Sequence, residues 1–344
     1  MNRTNNSWKD VRGAVYIPRR AFNAPQTWRN YSAEEAARDM GYAALLKLNA
    51  VRVWASYEYW RVAPKDFAAA FDDFLAKASA KGIRVMPSLF ENCGVPPTEE
   101  NLWTTDPTKA YAIRSPHKEE IVDHPERWGG PLEFVEWFMD RWGNDARVLA
   151  VEMMNEPMPL ESMRFARAMF LRANELRGSA PLTLGAAPIE QNLYFLDLGI
   201  DILQFHDNFP RSAEAARQKI EGAIRPGKIL NKPVWMTEWQ RLRPTASGWS
   251  QEPVPENEAM PALATLAPIV QSYEIGNFFW SLMVKPAYLP AQRPHGTING
   301  VFWEDGAVWS LADARAVSGN PKLQLEERPG WPDWAPPRDW RGKV

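Results

Sequence analysis

The chain has 344 residues, 45% apolar and 24% charged, with a formal net charge of −2. These proportions are those of an ordinary globular protein and exclude a disordered chain, a collagen-like fibre and a disulfide-stapled mini-protein. The single cysteine, Cys93, cannot close an internal disulfide, and the balanced charge offers no global positive field to nucleic acid or acidic lipid.

Residues 1–8, MNRTNNSW, lack the apolar run of a secretory leader, and no stretch approaches about 18 consecutive apolar residues. The expectation is a cytoplasmic protein with no membrane partner. Short β-branched and aromatic runs then alternate with helical patterns. Strands are predicted at 11–17, 50–56, 83–90, 147–155, 182–187, 202–206, 233–238 and 277–282. The first helix starts at Ser32-Ala-Glu-Glu35, a capping-box pattern in which Ser32 and Glu35 satisfy free amides reciprocally, and runs to 48. Phe67, Phe71, Phe74, Leu75 and Ala78 repeat at helical spacing, and Gly82 ends that helix. A long connection, 91–130, precedes a helix at 132–142. Further helices are predicted at 160–177, 190–198, 213–223 and 258–273.

Eight β/α units in one chain predict a (β/α)8 TIM barrel as a single domain over 1–318. The competing arrangement, a doubly wound open sheet, usually carries a glycine-rich turn after its first strand. Here that strand runs into Tyr16-Ile-Pro-Arg-Arg20, with no G-x-G-x-x-G. Residues 319–344, rich in Pro and Trp (Trp331, Trp334, Trp340), read as an extended tail packed on the barrel or on a neighbouring subunit, which would make a homo-oligomer.

Active sites of such barrels are built at the C-terminal ends of the strands. Those ends supply Tyr16, then Arg52 and Trp54, Glu91 and Asn92, Asn155 and Glu156, His206, Asp207 and Asn208, Glu238 and Trp239, and Trp280. Glu156 and Glu238 each end an apolar run, where a lone charge is costly. Either glutamate alone fits a helix cap or an arginine partner equally well. Two of them opposed across a barrel mouth suit retaining glycoside cleavage, one as nucleophile and one as acid and base.

Asn155-Glu156-Pro157 after strand four, with Thr237-Glu238 ending strand seven and Trp280 on strand eight, resembles the signature of the cellulase-type glycoside hydrolases, family 5 and its clan A relatives. The resemblance covers residues 11–315. It implies Glu156 as acid/base and Glu238 as nucleophile. It implies Asn155 on the sugar 2-hydroxyl, Arg52 on the nucleophile, His206 near the acid/base and Trp280 beneath the sugar. Two positions depart from the family pattern. Strand three offers Glu91-Asn92 in place of a histidine, and strand six reads His206-Asp-Asn208 in place of His-x-Tyr. The tyrosine contact to the nucleophile is then missing or comes from Tyr16 or Tyr288.

The expected partner is a carbohydrate, with no nucleic acid, no metal and no cofactor. The expected activity is a retaining β-glycosidase on oligosaccharides or glycoconjugates. The connection 91–130 is expected to wall off one end of the cleft and make cleavage exo. The acid/base is expected to have a raised pKa beside the negative nucleophile. A metal-dependent sugar isomerase would instead use Glu156, His206, Asp207 and Glu238 on a divalent ion. A non-catalytic sugar-binding barrel is the third reading. Of the 17 tryptophans, Trp54, Trp239 and Trp280 are expected at the mouth. Trp60, Trp103 and Trp128 are either sugar platforms or loop cores.

Overall fold

The computed structural model describes residues 8–245, 254–293, 296–333 and 335. Eight parallel strands form the sheet: β1 (Arg12–Val15), β2 (Ala50–Trp54), β3 (Arg84–Glu91), β4 (Val151–Asn155), β5 (Leu182–Gly185), β6 (Leu203–Asp207), β7 (Val234–Trp239) and β8 (Gly276–Phe279). Their order is β5-β4-β3-β2-β1-β8-β7-β6, and a parallel bridge from Thr183 to Ile202 joins β5 to β6. Because β1 also pairs with β8, the sheet closes. This is a (β/α)8 barrel, and the doubly wound alternative, which leaves two open edges, is excluded. The strands are buried nearly throughout, as expected where helices cover the outer face of a parallel sheet.

The helix Pro64–Ser79 shows how the outer layer forms. Phe67, Phe71, Phe74 and Leu75 share its buried face and pack against Trp28, Phe134, Phe138 and Trp142. Each such side chain contributes roughly 1.5–3 kcal/mol by leaving water. Gly82, at φ +72°, makes the left-handed turn that sends the chain into β3.

Several details differ from the sequence pattern: short helices Ala24–Arg29 and Tyr57–Val62 were not predicted, the helical segment at 190–198 is a 3-10 helix over Ile189–Phe195, and three further points bear on packing. Ser32 caps the helix Ala33–Leu45 by accepting from the Glu35 amide, but the Glu35 carboxylate turns to Arg20 at 2.7 Å. The guanidinium of Arg20 thereby ties the β1 loop to this helix, and it also donates to the Gln26 and Thr27 carbonyls. The helix predicted at 258–273 is broken into Glu256–Ala259, a 3-10 turn Leu263–Thr265 and Ala267–Gln271. Pro261 forces Met260 into an extended conformation, at ψ 158°, and interrupts the turn. An unpredicted helix, Leu311–Ser318, lies between a Ser310 N-cap and Gly319 at φ +61°.

After β8 the chain forms a small antiparallel pair, β9 (Lys285–Pro286) and β10 (Ile298–Asn299), beside the barrel mouth. The described part of the tail packs back on the barrel. Glu327 bridges Val308, the Trp303 indole donates to the Arg328 carbonyl, and Trp331 lies against a cluster containing Val284, Ile298 and Trp309. Trp334 and Trp340 lie outside the described residues. Among the described residues no helix is long and apolar enough to cross a membrane.

Candidate active site

The site is organised by one buried arginine. Arg52, on β2, is fully shielded from solvent. Its Nη1 donates to Glu238 Oε1 at 2.7 Å. Its Nε and Nη2 form a fork onto Glu152, at 2.9 and 2.5 Å, and Nη2 also donates to Asn155 Oδ1 at 2.7 Å. Burial disfavours the guanidinium charge, but Glu152 and Glu238 outweigh it and drive the Arg52 pKa above its ordinary value. A paired fork of this kind is the arrangement in which a buried cation persists. Gly185 makes room for it: a Cβ there would lie 2.6 Å from Glu152 Oε1 and 3.0 Å from Arg52 Nη2.

Glu152 was not singled out in the sequence. A strict alternation along β4 places Glu152 and Asn155 on opposite faces, since they are three residues apart. The β4–β5 register shifts between these two residues. That irregularity re-aims the strand so that both side chains reach Arg52. Similar shifts occur at Phe205/His206 and Met236/Trp239. The signal in the sequence was a charge inside the apolar run Leu149-Ala-Val-Glu-Met-Met154.

Glu156 follows β4 with φ +43°, and its amide donates to the Gly185 carbonyl at 2.7 Å. A left-handed glutamate is strained, a state that persists only where the surroundings impose it. One carboxylate oxygen meets His206 Nδ1 at 2.7 Å, and the other accepts from the Cys93 thiol at 3.3 Å. Burial raises the Glu156 pKa, but the His206 hydrogen bond and charge, the Cys93 thiol and Arg52 together bring it below the ordinary carboxyl value. This reverses the expectation of a raised pKa: the His206, Cys93 and Arg52 contacts together outweigh the effect of burial. Cys93 in turn has its pKa pushed well up, by burial first and then by Glu156 and Glu91, so it stays a thiol and donates.

Glu238 is nearly buried, and both its oxygens are engaged, Oε1 by Arg52 and Oε2 by Asn208 Nδ2 at 3.0 Å. The amide of Asn208 thus occupies the place expected of a tyrosine hydroxyl. It is itself held by Gln240 Nε2 at 3.1 Å. Tyr16 instead donates to Asp39 at 3.0 Å, and Tyr288 packs edge-on against Trp280. At the end of β3, where the sequence offers Glu91-Asn92 in place of a histidine, Glu91 accepts two hydrogen bonds from Asn155 Nδ2 (2.9 and 3.0 Å) and one from the Cys93 amide. Burial raises its pKa to about 8 against these bonds.

A cavity of about 430 Å³ opens over these groups, lined among others by Glu91, Cys93, Asn155, Glu156, Asn208, Glu238, Gln240 and Trp280. The peptide between Trp280 and Ser281 is cis. An adjoining cavity of about 550 Å³ shares Glu91, Ala112, Trp280 and Tyr288 with it and adds Tyr16 and Trp54. Trp54 stands edge-on to Trp280, with ring centroids 5.8 Å apart.

Three expected site residues lie elsewhere. Trp239 is buried on the helix side of β7, its indole donating to Asn277 Oδ1. Asn92 points to the Ser162 hydroxyl at 2.7 Å and anchors the next helix. Asp207 faces Lys219 at 3.3 Å. The four-ligand set of the isomerase reading is therefore not assembled. Glu156, His206 and Glu238 do bring donor atoms within 4.8 Å of one another. Both oxygens of Glu238 are already taken, one by a guanidinium, which opposes a second cation. Those residues do not fit a divalent ion. Of the three tryptophans open to either role, Trp60 packs on Phe134 and Trp137, Trp103 lies under Arg29, and Trp128 donates to the Ile121 and Val122 carbonyls.

No family model matches this sequence, and no curated protein matches it. Solved structures do match. An endo-1,4-β-D-mannanase from Thermotoga petrophila RKU-1 aligns over 91% of this chain and 99% of its own, with a TM-score of 0.60 at 12% identity. The GH5_18 protein from Streptomyces cattleya, solved in complex with GlcNAc, aligns over 92% of this chain and 82% of its own, with a TM-score of 0.60 at 14% identity. A glycoside hydrolase family 5 mannosidase from Rhizomucor miehei aligns over 91% and 92%, with a TM-score of 0.56 at 12% identity. The chain shares the barrel fold of these proteins.

Proposed function

We propose that this protein is a retaining β-glycosidase acting on an oligosaccharide or glycoconjugate. The observation that carries the reading is the Glu156–Glu238 pair, in which one carboxylate oxygen of each lies within 4.8 Å of the other across the mouth. Retaining enzymes hold their carboxyl groups at about 5–5.5 Å, whereas inverting enzymes need about 6.5–9.5 Å to admit a water. Arg52 and Asn208 hydrogen-bond the two oxygens of Glu238 and orient it for attack on the anomeric carbon. Glu156 passes a proton to the leaving oxygen and then takes one from the incoming water. Asn155, fixed between Arg52 and Glu91, offers its amide to the sugar hydroxyl next to the reacting carbon. Trp280 supplies an apolar face for the sugar ring.

The Ala112 amide donates to the Tyr288 carbonyl at 2.9 Å, so the 91–130 connection and the segment carrying Tyr288, Leu289 and Gln292 join in one wall of the cavity, which supports cleavage from a chain end. The test is a screen of aryl β-glycosides, with intact-mass detection of a covalent glycosyl-enzyme after reaction with a 2-deoxy-2-fluoro glycoside. Turnover with a labelled Glu238 is the expected result. Inverted product, no label and no turnover, or activity that EDTA abolishes and manganese restores would overturn it. Random internal fragments from a polymer would overturn the exo assignment.

A further inference from the structure

Beneath His206 a line of buried hydrogen bonds crosses three strands. His206 Nε2 lies 3.1 Å from Thr237 Oγ1. Thr237 Oγ1 lies 2.5 Å from Gln204 Oε1. Gln204 Nε2 lies 3.0 Å from Thr183 Oγ1, which lies 2.8 Å from the Ile202 carbonyl. Thr183, Gln204 and Thr237 are completely buried. The polarity of the line is set at its far end. A carbonyl only accepts, so Thr183 spends its one hydrogen on Ile202 and can only accept from Gln204. The amide nitrogen of Gln204 therefore faces Thr183, and its carbonyl faces Thr237. Thr237 spends its hydrogen on that carbonyl and can only accept from His206. Reversing Gln204 would set its oxygen against a threonine oxygen whose hydrogen is already committed.

We infer that Thr183 and Gln204, acting through Thr237, are positioning residues that hold a hydrogen on His206 Nε2 and thereby commit His206 Nδ1 to sharing a single proton with Glu156. The Nδ1–Oε1 contact of 2.7 Å requires one hydrogen between the two atoms. It sits either on the carboxyl, with a neutral imidazole, or on Nδ1, with a carboxylate. The pair is neutral in both forms, so a proton is stored beside the leaving oxygen even though Glu156 by itself is held acidic. Glu238, 3.7 Å from Nδ1, favours the imidazolium form, while Cys93, Glu91 and Arg52 stand behind Glu156. Transfer of the proton to the leaving oxygen leaves a Glu156 carboxylate and a neutral Nε2–H imidazole. The proton of the attacking water restores the pair.

The catalytic consequence rests on the glycosidase reading, whereas the hydrogen placement does not, so two measurements separate them. The first is a long-range 1H–15N correlation spectrum of protein labelled at its four histidines, with His206 assigned by its loss in His206→Asn. A hydrogen on His206 Nε2 across the neutral pH range is expected, and a neutral Nδ1–H tautomer would overturn the inference. The second uses Gln204→Met and Thr237→Val. Both should lower the pH at which the Glu156–His206 pair loses its proton and move the basic limb of kcat/KM down. Both should lose about tenfold on glycosides with poor leaving groups and little on dinitrophenyl glycosides, which need no acid. Equal losses on both substrates, or an unmoved limb, would reduce these residues to packing. Absence of turnover with the expected spectrum would leave the relay standing and remove the glycosidase.

Discussion

Arg52 and Glu238 form an ion pair at 2.7 Å with neither side chain more than 5% exposed, and the other edge of the same guanidinium is occupied by Glu152. One cation thus balances two buried carboxylates. Replacing Arg52 by Met leaves both uncompensated. The expected cost is about 3–5 kcal/mol of stability, the range for breaking a buried pair. Denaturant unfolding measures it, and Arg52→Met with unchanged stability would show that Glu152 and Glu238 do not depend on Arg52.

Glu238→Ala removes the proposed nucleophile and opens space beside Arg52 and Asn208. Turnover of an aryl β-glycoside should fall by at least about 10³-fold, since the covalent step is lost. Azide should restore a reaction whose product has the opposite anomeric configuration, read by NMR. Retained activity without azide would exclude Glu238 from this role.

Cys93→Ala removes a donor from Glu156 Oε2. A hydrogen bond to the ionised form lowers a carboxyl pKa, so its loss raises that of Glu156. The basic limb of kcat/KM should therefore move to higher pH, opposite in sign to the effect of Thr237→Val. The wild-type thiol, held protonated by burial and by Glu156, should alkylate slowly with iodoacetamide at pH 7.

Glu58 is half-buried, with one oxygen bonded to the Ser115 hydroxyl and the other, shielded from solvent, without a hydrogen-bond partner. Burial pushes its pKa up to about 7 from 4.5. The folded protein then holds this proton where the unfolded chain has lost it. The stability it contributes is complete below about pH 4.5 and disappears as pH rises through about 7. Asp39, raised to about 6, and Glu91, raised to about 8, act in the same direction, both mainly through burial. Thermal unfolding should show stability falling between pH 5 and 8. Glu58→Gln should gain about 3 kcal/mol over wild type at pH 8 relative to pH 4.5. An equal difference at both values would mean that Glu58 keeps an ordinary pKa.

The barrel was legible because its strands and helices carry different periodicities, and the turn chemistry at Ser32 and Gly82 marks where they change. The helix at 258–273 was misread because apolar spacing continued through Pro261, whose backbone effect outweighs the pattern. Leu311–Ser318 carried a readable signal, Ser310 with Asp313 three residues on and a terminal Gly319. At the site, position at a strand end brought Arg52, Glu91, Asn155, Glu156, His206, Asn208, Glu238 and Trp280 into consideration. It could not separate them from Trp239 and Asp207, because a register shift decides which neighbour turns inward.

The amino-acid sequence determined the kinds of groups that reach the mouth of this barrel, since apolar strands leave their polar residues at the ends and barrel closure gathers those ends. It did not contain their distances, nor which oxygen faces which nitrogen. Only the tertiary structure set Glu152 beside Arg52, put an amide on Glu238 and placed His206 against Glu156. Charge–charge energies vary with separation and burial, and both are products of packing between strands far apart in the chain. The same residues at the same positions in sequence could have given Glu156 a raised pKa. The 2.7 Å contact with His206 lowers it.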